Sequence, residues 1–144
     1  MISKKFKVTQ KNIPKAVSEI LAIINSSSAI ILLSGNLASG KTTFVKEFVK
    51  YFEINDEVTS PTFTLQNIYG TDIYHYDIYQ KTLNEFIQLG LFESLSDSGY
   101  HIIEWGNLEF ASILTKYGFS FFHIKIINND DSYRIYQVSN KWQL

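Results

Sequence analysis

The stretch Gly35–Thr42 reads GNLASGKT, which places two glycines, a lysine and a threonine in the G-x-x-x-x-G-K-[ST] order. Two glycines at that spacing let Gly35, Asn36, Leu37, Ala38, Ser39 and Gly40 turn tightly enough for successive backbone N–H groups to face one concavity, a nest suited to phosphate oxygens. Lys41 then supplies a point charge for β- and γ-phosphates, the Thr42 hydroxyl a magnesium ligand, and Thr43 a second hydroxyl close by. Turnover needs more than a phosphate grip: a carboxylate must organise the metal, and another group must place the attacking water. Asp77, after Ile73–Tyr76, and Glu104, after His101, Ile102 and Ile103, sit near expected strand ends and are the candidate acids. Glu104 is the better match to an apolar strand closed by an acid; the plainer reading of each is a solvated carboxylate at an element end. Ser60-Pro61-Thr62 adds hydroxyls on an extended segment where a threonine can reach the metal only when a γ-phosphate is bound; an ordinary turn is the other reading.

These residues act together only if strands and helices bring them to one edge. Ala29–Leu33 is a continuous apolar run of strand length, as expected of a parallel strand buried on both faces. Phe44, Val45, Phe48, Val49 and Phe52 recur at helical spacing, with Lys46, Glu47 and Lys50 opposite, so the loop opens a helix whose N-terminal dipole also favours an anion. Upstream, residues 3–8 suit a strand, and Asn12 is expected to cap a helix running to about Asn25 with Pro14 in its first turn. Downstream, residues 72–79 and 100–105 read as strands, and the regions of Leu83–Ile87, Leu91–Leu95 and residues 107–116 as helices. A closing hairpin is expected around Asn128–Asp131. Intermingled strands and helices predict an α/β class: a single P-loop NTPase domain over residues 1–144, with a mixed, mostly parallel sheet flanked by helices. In such a sheet ligands gather at the carboxyl ends of the strands, where Asp77 and Glu104 fall.

The composition narrows the partners. A formal net charge of −1 over 144 residues argues against direct DNA binding and against holding RNA unaided, because backbone contacts need many lysines and arginines. There is no cysteine and no apolar run of membrane-spanning length, so the expectation is a cytoplasmic protein without disulfides or thiolate metal sites. His75, His101 and His123 are widely spaced and make no zinc set. His75 shares a strand face with Asp77, which allows a role beside the site; a satisfied core histidine is the simpler reading. Trp105 suits stacking on a base or packing in the core, and the nine tyrosines read as packing.

Four pieces now stand in order, GNLASGKTT, VTSPTFTL, HYDIYQ and IIEW, and together they resemble the TsaE (YjeE) family of small bacterial ATPases that serve threonylcarbamoyladenosine modification of tRNA. The likeness runs from the first helix through Trp105. It implies that Lys41 and Thr42 hold ATP and Mg2+, that Thr62 belongs to a switch, that Asp77 is the Walker B acid, that Glu104 is needed for activity, and that Trp105 lies near the nucleotide. Thr42, Thr62, Asp77 and Glu104 are then the metal set. The partners implied are the threonylcarbamoyl transferase subunit (TsaD) and the scaffold subunit (TsaB), with tRNA reached through their complex. The chain departs from the family pattern at Asn36 and Ala38-Ser39 inside the loop, at Gln80 where an arginine is usual, and at Gly106-Asn107 where an acid often follows.

The leading expectation is an ATPase whose cycle drives or resets a tRNA-modifying complex. A small-molecule kinase shares the loop, but such kinases clamp donor and acceptor with several arginines and Arg134 is the only one here. A nucleotide-gated binding module without hydrolysis is the third possibility, because the same loop serves both.

Overall fold

The computed structural model describes residues 2–36, 38–61 and 64–144, with the Asn129 side chain outside that description; Leu37 and Thr62, both expected in the site, lie outside the described residues. Along the chain run β1 (Ser3–Val8), α1 (Ile13–Ile24), β2 (Ala29–Ser34), α2 (Lys41–Tyr51), β3 (Gln66–Tyr69) and β4 (Ile73–Asp77). There follow α3 (Leu83–Gln88), α4 (Leu91–Ser94), β5 (Tyr100–Glu104), α5 (Leu108–Lys116), β6 (Phe122–Asp130) and β7 (Tyr133–Ser139). One mixed sheet takes the order β1-β7-β6-β2-β5-β4-β3. Its inner strands β6, β2, β5 and β4 are parallel, and β1, β7 and β3 join antiparallel at the flanks.

Alternation along β2 explains why that strand is apolar throughout. Ile31 and Leu33 pack beneath α1 and α2 with Val17, Ile20, Phe44 and Phe48, whereas Ile30 and Leu32 face the other layer with Phe86, Phe110 and Leu114. Each face thereby buries a helical stripe, and β2 sits at the centre with β5 on one side and β6 on the other. The chain leaves β2 at the carboxyl edge of the parallel block, the switch point where an open α/β sheet forms its crevice.

Local expectations met three adjustments. Asn12 occupies the N-cap position of α1 without capping it; its Oδ1 accepts from the Thr9 N–H at 2.6 Å and its amide donates to the Lys7 carbonyl, closing the turn after β1 instead. The hairpin turn falls at Asp131 and Ser132, later than the Asn-Asn-Asp-Asp run suggests, because β6 continues through a register shift between Ile127 and Asp130. Asp130 Oδ1 then accepts from both the N–H and the hydroxyl of Ser132, which stabilises the later turn. The strand expected over 72–79 runs Ile73–Asp77, because Asp77 Oδ1 accepts from the Tyr79 N–H and the Lys81 N–H bonds to the Ile78 carbonyl, turning the chain there.

His123 shows what the core demands of its polar groups. Its Nδ1 accepts from the Gln143 N–H at 2.9 Å, its Nε2 pairs with the Ser34 hydroxyl at 2.6 Å, and its ring stacks on Trp142 at 3.9 Å. Burial, assisted by the Lys125 charge, lowers its pKa to about 4. A lowered folded-state value means that the unfolded chain binds the extra proton first, so stability from this group is complete above pH 6.5 and drains away as pH falls toward 4. The loss expected over that window is up to about 3 kcal/mol, read as a falling melting temperature by calorimetry. His123→Leu should flatten much of that slope; a slope equal to that of the unsubstituted chain would assign it elsewhere.

Candidate functional site

The loop after β2 owes its shape to two glycines. Gly35 has φ 154°, and a Cβ there would stand 2.6 Å from Ser39 Oγ and 2.8 Å from the Ile126 carbonyl, so any side chain would push the loop off β6. Gly40 has open space around it but φ 105°, a backbone that side chains disfavour, and it is the N-cap of α2 with no side chain bonded to the first-turn amides. The loop closes on itself through the Ser39 N–H to the Asn36 carbonyl at 3.0 Å.

Lys41, the first residue of α2, turns back over this loop. Its ammonium donates to the carbonyls of Gly35 and Asn36 at 2.9 Å each and to Ser39 Oγ at 3.4 Å, and it lies 3.7 Å from the centre of the Trp105 ring. Burial lowers its pKa, and the carboxylates of Glu104 and Asp77 act against that shift. Trp105 reaches this position because its backbone is left-handed, φ 68°, turning the chain after β5 so that the indole covers Lys41 and meets Tyr79 at 4.6 Å.

The two acids come from neighbouring strands. The β4–β5 register pairs Asp77 with Glu104, and the β5–β2 register pairs Glu104 with Leu33, so both carboxylates stand at the edge where the loop departs. The Thr42 hydroxyl donates to Glu104 at 3.2 Å to Oε1 and 3.1 Å to Oε2. His75 Nε2 meets Glu104 Oε2 at 2.5 Å. Asp77 Oδ2 accepts from the Ser60 hydroxyl at 2.5 Å, and its Oδ1 from the Tyr79 N–H at 2.9 Å. A cleft of about 410 Å³ joins these groups, lined by Ala38–Thr43, Ser60, Asp77, Tyr79, Glu104 and Trp105. Gly35 and Asn36 line a separate cavity behind Trp105 and contribute to the cleft through their carbonyls on Lys41. Thr43 is exposed on the outer lip.

Chemically, the arrangement offers phosphate oxygens a helix N-terminus, loop amides and one ammonium. Among the described residues no group of three or more His, Cys, Asp or Glu side chains converges to hold a metal. A hydroxyl with one or two carboxylates is instead a donor set for magnesium, a cation that keeps several waters and takes its other ligands from bound phosphates.

Arg134 has no sequence signal linking it to the loop, yet its Nε donates to the Ser39 carbonyl at 3.1 Å while Nη1 holds the carbonyls of Asp130 and Tyr133. It braces the loop after β2 against the β6–β7 hairpin, a contact across 95 positions between elements that the β2–β6 pairing brings together. Tyr79, against the Trp105 ring, was equally indistinct among nine tyrosines.

Comparison with known proteins agrees with this geometry. The family model described as TsaE, threonylcarbamoyl adenosine biosynthesis protein, matches residues 8–136. A tRNA threonylcarbamoyladenosine biosynthesis protein TsaE of Treponema pallidum is 40% identical over 92 residues, 62% of this chain and 67% of that protein. Proteins of the same name from Rickettsia felis and Bacillus subtilis are 38% identical over 99 residues and 35% over 97, each match covering 65% of this chain and 57% and 61% of theirs. The matched stretch thus spans less than two thirds of those two relatives. The crystal structure of Bacillus subtilis YdiB superimposes with a TM-score of 0.69 at 24% identity, over 98% of this chain and 87% of that one, a likeness of fold. With most of its length matched by the family model, and the loop, the acids and the sheet disposed as described, the chain belongs to the TsaE family of threonylcarbamoyladenosine biosynthesis proteins.

Proposed function

We propose that the chain is a magnesium-dependent ATPase that serves threonylcarbamoyladenosine modification of tRNA. The observation that carries this reading is the meeting of Lys41, Thr42, Asp77 and Glu104 in one cleft at the N-terminus of α2. ATP would lie along the loop amides with its outer phosphates toward Lys41, whose bonds to carbonyls of the same loop exchange readily for phosphate oxygens. Thr42 and the carboxylates of Asp77 and Glu104 are the groups that would hold Mg2+, with Thr62 as a further ligand in the reading. Bound there, the ion would neutralise charge developing on the phosphoryl oxygens. Glu104, gripped by Thr42 and His75, has the fixed orientation that a water-positioning acid needs. The Trp105 indole shields Lys41 from solvent and strengthens its field at the phosphates.

Binding and turnover should separate by residue. Lys41→Ala should greatly weaken ATP binding, seen by titration calorimetry and by Trp105 fluorescence; equal affinity in both chains would remove the loop from the site. Glu104→Gln and Asp77→Asn should keep measurable affinity and lose turnover by about two orders of magnitude. Hydrolysis unchanged in either variant would strike that residue from the catalytic set.

Two nitrogens of Arg134 are committed to backbone carbonyls, so the chain's single arginine braces the loop and is poorly free to serve a γ-phosphoryl group. Where NTPases insert an arginine it contributes about 10³ to 10⁵ in rate. The isolated chain is therefore a slow ATPase in this reading, completed in the cytoplasm by the threonylcarbamoyl transferase (TsaD) and its scaffold (TsaB), and meeting tRNA only through them. Steady-state phosphate release at saturating magnesium-ATP should rise by at least about tenfold on adding both subunits, a modest share of that range. Fast turnover by the chain alone, indifferent to them, would sink the dependence.

A further inference from the structure

Thr59 and Ser60 lie just before Pro61, and each is tied to a different acid of the cleft. The Ser60 hydroxyl donates to Asp77. The Thr59 carbonyl accepts from the Tyr69 hydroxyl at 3.1 Å and from the Asn67 amide at 3.2 Å. The Tyr69 oxygen in turn meets His75 Nδ1 at 2.9 Å, and His75 Nε2 meets Glu104 Oε2. A phenol has one proton; with that proton given to Thr59, the Tyr69 oxygen accepts from Nδ1–H, and Nε2 and Oε2 share one proton between them. Burial raises the Tyr69 pKa, which keeps the hydroxyl protonated and able to donate. His75 is fully buried and Tyr69 nearly so, while the chain of bonds ends on the exposed Thr59.

Thr42 alone does not orient the Glu104 carboxylate, because its hydroxyl is nearly equidistant from both oxygens. The bond that selects one oxygen comes from His75. Adjacent Cα atoms are held ~3.8 Å apart, so a shift that takes Ser60 from Asp77 also moves the Thr59 carbonyl that Tyr69 holds. We propose that Tyr69 and His75 are positioning residues that couple the placement of Thr59–Ser60 to the orientation of Glu104, so that docking of this segment and alignment of the acid are one event. The proposal rests on the cleft being an ATP hydrolysis site, and its test separates the two.

Nitrogen-15 labelling of histidine gives three rings to follow by NMR. In the nucleotide-free chain, Tyr69→Phe should move the His75 Nδ1 resonance, and Ser60→Ala, which touches neither Tyr69 nor His75, should move the same ring. A His75 ring unmoved by Ser60→Ala overturns the coupling even if the chain proves to hydrolyse nothing. With magnesium-ATP, Tyr69→Phe should lower kcat about tenfold while the ATP dissociation constant stays within about twofold. His75→Gln, whose amide keeps an N–H toward Oε2, should recover most of the turnover that His75→Leu loses. Unchanged kcat in Tyr69→Phe, or loss of affinity in step with turnover, shows a network that only supports the fold. Tyr69→Phe preserves the ring and carries the test if His75→Leu fails to fold. Absence of ATP binding and hydrolysis in the unsubstituted chain would reject the ATPase reading alone, leaving the Ser60→Ala spectrum to decide the coupling.

Discussion

A carboxylate buried at the end of a central strand has to be matched by donors, and Glu104 is the group whose needs organise this structure. Only 2% of Glu104 is exposed, and an unpartnered charge at such a place would cost several kcal/mol. Its partners cannot come from β5 itself, where alternate side chains enter opposite cores. They come from the first turn of α2 through Thr42 and from β4 through His75, which requires β4, β5 and β2 to be parallel and in register. That same register sets Asp77 beside Glu104 and brings the loop out above both. Lys41 completes the balance with a cation whose pKa burial lowers and the two acids hold up.

How much of this can be read from residues alone follows the range of the interactions. The loop, its strand and its helix are contiguous, and their glycines, apolar run and stripe carry local signals. Asp77 and Glu104 were legible as acids near strand ends, and Gln80 and Trp105 as neighbours of those ends. A satisfied core residue was the simpler reading of His75, and it is one: buried, with both ring nitrogens satisfied. What pattern could not supply is that the partner satisfying it is Glu104, 29 positions away on a strand brought adjacent by a crossover. The brace from Arg134 and the bond from Tyr69 to Thr59 are hidden too, since each joins a strand side chain to a loop carbonyl that only the folded chain brings near.

The departures from the family pattern have local physical reasons. Gly106 cannot carry a side chain without a Cβ pressed to 2.9 Å from Leu32, and Asn107 Oδ1 caps α5 by accepting from the Phe110 N–H at 2.8 Å. An acid there is thus replaced by a close approach to β2 and a firm start to the helix. Gln80 has φ 56° in the turn after β4, where its long side chain adds no charge to the cleft. Asn36 is exposed and takes part through its carbonyl, which any residue would provide.

Four of the six left-handed residues other than glycine, among those described, lie in the loop after β2 or in turns near it. Ala38 in the loop, Leu65 beyond the segment that holds Ser60, Gln80 after β4 and Trp105 after β5 all have φ between 56° and 68°. Each such residue costs on the order of 1 kcal/mol or more, and persists only where surrounding structure over-determines it. Here the over-determination comes from the sheet: Gly106 N–H bonds to the Leu33 carbonyl, Ile78 N–H to the Glu104 carbonyl, and Leu65 N–H to the Pro61 carbonyl. The first two pin the turns to the parallel strands; the third closes the turn after Pro61, and the Leu65 carbonyl in turn accepts from the Asp77 N–H of β4 at 3.3 Å. Strain at Trp105 is therefore held against β2, and strain at Leu65 against the end of β4, where Asp77 also holds Ser60.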